Sequence, residues 1–279
     1  RCCLIIVMTE GADYSELLKK LQARYDAQGE DTENYLEGLL YGKSITYWDY
    51  INTDALLSLQ IQRTDFPDEM VFIAYHQINE LLFKMILHEI SQVAEKEDLD
   101  VIFFESKLMR ISRYFDMLTT SFNIMRQGMD PEQYNKFRHT LTPASGFQSA
   151  QYRLIEFAST ELINLIDLRF RATIDRNTPF EHALEHLYWQ AAGKDYKTGK
   201  KSSLLTNFEN RYKEEFITFM KIYNTKNLWS RFKELPKEDQ KDEDLIKAMR
   251  HYDYTVNITW VLAHYNAAKH YILGKDEAF

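Results

Sequence analysis

Met70-Val71-Phe72-Ile73-Ala74-Tyr75-His76-Gln77-Ile78-Asn79-Glu80-Leu81-Leu82-Phe83-Lys84-Met85-Ile86-Leu87 decides the fold class. Apolar side chains recur at every angle of a 3.6-residue period, so the stretch predicts a long helix buried in the middle of the protein. Just upstream, Asp65 is an expected N-cap, Pro67 suits the first turn, and Asp68 and Glu69 complement the positive end of the helix dipole. This helix is expected to run to about residue 97. A second is expected over about 98–126, stopped by Gln127-Gly128-Met129-Asp130-Pro131.

The same period continues outward in both directions. Leu17, Leu18, Leu21 and Tyr25 mark an early amphipathic helix, and Leu56, Leu57, Leu59 and Ile61 a short one. Further helices are expected over about 148–171, 180–192 and 204–235. The last is expected to follow the charged segment 236–244 and to end near Gly274. No alternating strand pattern and no internal repeat occurs. Nine Gly and five Pro in 279 residues leave long helices uninterrupted and provide no linker. The expectation is an all-α, single helical-bundle domain over 1–279, with 8–45 forming N-terminal helices and 1–7 standing outside the native structure.

Forty-two acidic against thirty-four basic residues leave a net charge of -8, which argues against nucleic acid as a partner. Lys197, Lys200 and Lys201 form a small basic run with Asp195 inside it, the pattern of a solvated loop. The two cysteines, Cys2 and Cys3, are adjacent and cannot build a disulfide framework. The opening apolar run is short and lacks a cleavage site, so Met8 reads as the natural start, with no signal peptide. No apolar run approaches the roughly 20 residues of a membrane helix, and a cytoplasmic protein is expected.

Three places carry chemistry that packing does not require. His76 shares a helical face with Phe72 and Glu80. It is either a ligand-facing imidazole or a core histidine bonded to Glu80. Phe137-Arg138-His139-Thr140-Leu141-Thr142-Pro143-Ala144-Ser145-Gly146-Phe147-Gln148-Ser149 breaks the helical series with an arginine, a Thr-Pro stop and a Ser-Gly turn. Arg138, one turn after Tyr134, can grip a carboxylate bidentately, or it can close a structural pair with an acid. Trp260, His264, Ala267, Ala268 and Tyr271 share one face of the last helix. Small residues around that histidine leave room for a flat group such as a haem with an axial imidazole, or for close helix packing.

A rival pattern is His182-Ala183-Leu184-Glu185-His186, which matches a zinc-peptidase spacing on a helix, with Glu185 as base. No partner motif accompanies it.

Together the three places resemble the tryptophan 2,3-dioxygenase family. The likeness rests on Asp68-Glu69-Met70-Val71-Phe72-Ile73 running into His76-Gln77, then Glu80-Leu81 and Leu87-His88-Glu89. It also rests on Phe137-Arg138, Pro143-Ala144-Ser145-Gly146-Phe147-Gln148-Ser149 and Gln151-Tyr152-Arg153, and on Tyr47-Trp48-Asp49-Tyr50 before Leu56-Leu57-Ser58-Leu59-Gln60. The resemblance is strong over about 46–156 and weak elsewhere.

That resemblance implies an all-helical, intertwined homotetramer with haem b in a pocket between long helices. It implies insertion of O2 into the indole ring of L-tryptophan to give N-formylkynurenine, the first step of tryptophan degradation by the kynurenine route. His264 would be the axial iron ligand, with Trp260, Ser145 and Gly146 at the cofactor. His76 would act on the distal side near the indole N–H. Phe72, Tyr134, Arg138, Leu141 and Tyr152 would line the substrate pocket, and Tyr47 and Tyr50 would reach it from a neighbouring subunit. The family's Gly-Thr-Gly-Gly-Ser loop after the axial helix has no counterpart in Gly274-Lys275-Asp276-Glu277-Ala278-Phe279. Strict tryptophan selectivity is therefore the weaker expectation. A haem oxygenase of another indole or phenol, and a non-catalytic haem sensor, stand as alternatives.

Overall fold

Side-chain caps start most of the helices in the computed structural model, which describes residues 13–141, 148–195 and 197–273. Asp31 caps α2 (Thr32–Tyr41), which follows α1 (Ser15–Asp26), and Thr46 caps α3 (Tyr47–Ile51). Asn52, in the left-handed region at φ 57°, separates α3 from α4 (Thr53–Leu57). Asparagine tolerates that conformation better than most residues. Leu59 and Ile61 are not helical, because the short helix ends at Leu57.

Two long helices follow, α5 (Pro67–Glu95) and α6 (Val101–Gln127), the latter capped by Asp100. The expected cap Asp65 is not used: Phe66 occupies that position and offers no side-chain bond. Glu69 serves the turn instead, accepting from the backbone N–H groups of Arg63 and Thr64 and from the Thr64 hydroxyl at 2.6 Å. Next come α7 (Pro131–Phe137), a 3-10 turn at Arg138–Leu141, and α8 (Ala150–Ser159).

The helix expected over 148–171 stops early, at Thr160, whose backbone is extended. Beyond it Glu161 pairs with Arg176 and Lys233, and Ile166 bridges to Leu187, contacts a continuous helix could not make. The helix expected over 180–192 is only α9 (Phe180–Leu184) plus a 3-10 turn at Tyr188–Gly193. The expected 204–235 helix is two, α10 (Ser203–Lys226) and α11 (Leu228–Glu234). Buried Asn227 divides them by donating to the Tyr223 carbonyl while capping Ser230 N–H. The final expected helix is α12 (Glu243–Tyr254), a π-helical turn at Thr255–Thr259, and α13 (Trp260–Leu273). Gly274 lies outside the described residues. No β-strand occurs among the described residues, so the all-α expectation holds.

The chain divides between Leu59 and Gln60 into two compact units. No Gly- or Pro-rich signal marks that boundary in the sequence. In the first unit α1–α4 bury none of their residues, and Leu39, Leu40, Tyr41, Tyr47 and Tyr50 are all exposed.

In the second unit α5 and α6 pack along their length, with α12 and α13 against α6 and α8 against α5. Ile86, Ile90, Phe104, Leu108, Ile111 and Phe115 form the central core. Each such side chain contributes about 1.5–3 kcal/mol by leaving water. A second cluster gathers Phe157, Leu184, Phe208 and Phe216 beneath α8 and α10. A third, with Tyr75, Phe122, Phe137 and Tyr271, joins α5, α6, α7 and α13. Contrary to the sequence expectation, α5 is not enclosed on all sides: Met70, Ile78, Leu81 and Met85 are exposed. The all-round apolar pattern thus combines a core face with an uncovered one. On its core side Glu89 is buried, matched by Lys107 at 2.8 Å and Arg110 at 2.6 Å.

Candidate active site

The third cluster is the floor of the site. α5 carries Phe72 and His76 one turn apart, with ring centroids 4.1 Å apart. Phe72 also lies 5.6 Å from Phe137 and 6.1 Å from Tyr134, both on α7. Pro131 at the start of α7 and the Asp130 cap fix where that short helix begins. Asp68 ties α7 to α5, accepting from Asp130 N–H while its own N–H donates to Gln133.

His76 Nδ1 sits 2.7 Å from the Phe72 carbonyl oxygen. A carbonyl only accepts, so Nδ1 carries the proton and Nε2 is left as an acceptor in the neutral ring. Glu80 does not take that nitrogen. Its carboxylate and backbone carbonyl both accept from Gln151 of α8, at 2.9 and 2.8 Å. Burial pushes His76 below the usual imidazole range, and a charge on His264 would push it the same way, against the Phe72 bond and Glu80. His76 nevertheless keeps an exposed edge. Crowded surroundings with one open edge describe a ring in the wall of a recess.

Arg138 opens the 3-10 turn after α7, and its guanidinium carbon lies 5.5 Å from the centroid of the Tyr134 ring. Among the described residues no carboxylate pairs with it, so the structural Arg–acid pair considered from sequence is not formed there. A half-buried guanidinium over an aromatic ring retains its hydrogen-bonding fork for an anionic group.

His264 lies on α13 beside Trp260 and Phe122, at centroid distances of 6.0 and 5.5 Å, the Trp260 ring within 10° of parallel. Among the described residues no polar group bonds either ring nitrogen. Burial lowers its proton affinity, while its surface keeps an open edge. A neutral imidazole with a free nitrogen is the donor a haem iron takes, so the residues present fit that group. Ala267 is buried and Ala268 exposed, so the small-residue face runs from core to open edge.

Trp260 is held by α8 and α5: Tyr152 stacks on it at 4.6 Å and Phe83 meets it edge-on. Tyr152 is buried against these rings. Leu141 ends the 3-10 turn, but its side chain, like Ser145 and Gly146, lies outside the described residues. Tyr47 and Tyr50 are exposed on α3 in the first unit. His76, Phe72, Tyr134 and Arg138 therefore share one aromatic cluster. His264 and Trp260 join it through Phe122, which is 6.1 Å from both Trp260 and Tyr75.

Sequence reasoning missed Phe122, Phe137 and the role of Tyr271 in this cluster. Phe115, Leu118, Phe122 and Met125 do show one helical face in sequence, but nothing local says which histidine that face meets. The zinc pattern does not assemble. α9 ends at Leu184, His186 Nδ1 bonds the His182 carbonyl at 2.9 Å, and no three metal-binding side chains group together among the described residues.

Comparison with known proteins finds relatives under one name. Tryptophan 2,3-dioxygenase of Ruegeria sp. (strain TM1040) is 41% identical over 119 residues, 42% of each chain. The enzyme of that name from Bacillus thuringiensis (strain Al Hakam) is 40% identical over 119 residues, again 42% of each. The one from Bradyrhizobium diazoefficiens is 36% identical over 134 residues, 48% of this chain and 46% of the relative. The matches thus span less than half the length of these curated relatives. A profile of the family described as tryptophan 2,3-dioxygenase matches residues 37–257, well over half of the 279-residue chain. On that match, the chain belongs to the tryptophan 2,3-dioxygenase family.

Proposed function

We propose that the protein is a haem-dependent dioxygenase that inserts O2 into the indole ring of L-tryptophan and forms N-formylkynurenine. The observation that carries this reading is the pairing of a neutral His76, Nε2 free to accept, with an Arg138 that has no acidic partner among the described residues, on one aromatic wall. An aromatic amino acid offers the matching pair, an indole N–H and a carboxylate. Phe72 and Tyr134 between them supply the ring surface.

In this reading His264 holds the iron of haem b and Trp260 flanks it. When bound, haem supplies the oxygen chemistry, which no amino-acid side chain provides. The chain's own residues bind and orient. Arg138 holds the carboxylate bidentately, and Phe72 packs the indole. His76 Nε2 accepts the indole N–H and fixes which edge of the ring faces the cofactor. Tyr152 keeps Trp260, and through it the His264 helix, in place. Leu141, Ser145 and Gly146 complete the pocket by resemblance.

The reading extends to a homotetramer in which Tyr47 and Tyr50 line a neighbour's pocket. Its support is the apolar surface that one chain leaves uncovered: Ile78, Leu81 and Met85 on α5, and Leu39, Leu40 and Tyr41 on α2. No described helix is long and apolar enough to cross a membrane, and the reading takes the enzyme to be cytoplasmic.

The test is direct. Reduced, haem-loaded protein is incubated with O2 and L-tryptophan, and formylkynurenine is followed by absorbance. Formation of product supports the reading. Turnover of another indole but not of tryptophan overturns the substrate, and haem loading without turnover of any indole overturns the activity.

A further inference from the structure

Beside Tyr152, which stacks on Trp260, lies a cavity of about 680 Å³. Its walls come from α8, α11, α12, the π-helical turn and the start of α13, and neither His76 nor His264 lines it. Ile155, Leu165, Leu228, Trp229, Met249 and Val256 make its lining mainly apolar. A volume in the range of roughly 300–1,000 Å³, apolar with a few placed polar groups, is that of a small-molecule site.

The polar groups in the wall define what it accepts. Ser159 donates its hydroxyl to the Ile155 carbonyl at 2.6 Å. Its one proton is thereby committed, so the 2.6 Å contact with Tyr252 must have Tyr252 as donor. The buried Tyr252 oxygen is left with lone pairs and no proton to give, a fixed acceptor. The neighbouring Tyr188 oxygen is occupied, donating to Glu156 and accepting from Arg153. Arg153 Nη1 stands 2.8 Å from Glu156 Oε2, off the hydrogen-bond direction but close enough to match its charge. That buried pair is already neutral as a unit. A cationic ligand would add an unmatched positive charge beside that pair, and an anion would face a carboxylate. At the exposed rim Arg250 and Asp253 offset each other.

We propose that this cavity is a second small-molecule site, taking a neutral aromatic compound that presents one N–H or O–H donor to Tyr252. The proposal does not rest on the haem-side reading: the two share Tyr152 alone, and neither His76, Arg138 nor His264 lines this cavity. The site is placed to influence them. Tyr152 both lines the cavity and stacks on Trp260, and Trp260 is one turn from His264. Val256 and Asn257 belong to the π-helical turn that leads into that helix, and such turns frequently sit at functional positions.

The experiment is calorimetric titration of the full chain with indole, and with benzofuran as the isostere lacking the N–H. Wild type is expected to bind indole saturably at one site outside the haem-side pocket, and His76→Ala and Arg138→Leu are expected to leave that binding unchanged. Val256→Trp, which fills the cavity, is expected to weaken it at least about tenfold, as is Met249→Trp. The second variant serves if the first fails to fold by circular dichroism. Tyr252→Phe is expected to remove the roughly tenfold preference for indole over benzofuran. Absence of saturable binding overturns the proposal. So does a wild-type number of indole sites in both filling variants, or loss of all indole binding in His76→Ala, which would locate indole on the haem side.

Discussion

Tyr271 packs against Tyr134 with ring centroids 4.1 Å apart, and its hydroxyl donates to the Met125 carbonyl at the end of α6. Burial pushes the phenol up to about 12, so it stays a donor at any physiological pH. Tyr134 in turn supports the Arg138 guanidinium. Tyr271→Leu is expected to loosen that support and raise KM for tryptophan by about tenfold, with kcat changed much less. Tyr271→Phe keeps the ring and loses only the bond, at a cost of about 0.5–1.5 kcal/mol in urea unfolding. A Tyr271→Leu enzyme with wild-type KM would show that Tyr134 needs no such brace.

Arg138 tests the carboxylate clamp. Arg138→Leu is expected to weaken tryptophan binding by about 1.5–3 kcal/mol, roughly 10- to 150-fold in Kd, while indole without a carboxylate is unaffected on the haem side. Equal loss for both ligands would mean that the arginine only shapes the pocket.

The two histidines separate by readout. His264→Ala is expected to abolish stoichiometric haem uptake, measured by Soret absorbance per chain. His76→Ala is expected to load haem normally yet lose turnover. Normal loading of His264→Ala with an unchanged spectrum would put the iron ligand elsewhere.

Their titration has a definite sign. Burial lowers the proton affinity of both His76 and His264 in the folded protein, so between the unfolded value near 6.5 and the lower folded values the unfolded chain binds more protons. Above about pH 6.5 neither ring changes stability. As pH falls below it, stability is expected to decline until the folded values are passed. Urea midpoints at pH 7.5 and 5.5 would show the fall, and His76→Phe should reduce it.

Away from the site, the buried Glu89 is held by Lys107, which also bonds Gln92. Lys107→Met removes the buried partner and leaves that carboxylate to Arg110 alone. A loss of about 1.5–3 kcal/mol is expected in denaturant unfolding. A loss below 1 kcal/mol would mean that Arg110 alone compensates it.

Much of this was legible along the chain. The 3.6-residue period from Met70 to Leu87 requires a helix whatever surrounds it, because backbone hydrogen bonds and side-chain spacing are local. His76, Arg138 and His264 each stood out as chemistry that packing does not need. Where helices end was less legible. α8 stops at Thr160, where Glu161 finds Arg176 and Lys233, partners 15 and 72 residues away that no short window of sequence contains.

The amino-acid sequence by itself determined an all-helical chain, its long apolar helix and the residue types able to hold a ring, a carboxylate and an iron, since these follow from spacing and chemistry. Tertiary structure alone decided that Glu80 is taken by Gln151 and not by His76, and that Tyr271 braces Tyr134. It also decided that a second cavity lies beside Tyr152. Each joins side chains 71 or more residues apart or gathers several elements around one space, and such neighbours are chosen by packing, not by the local chain.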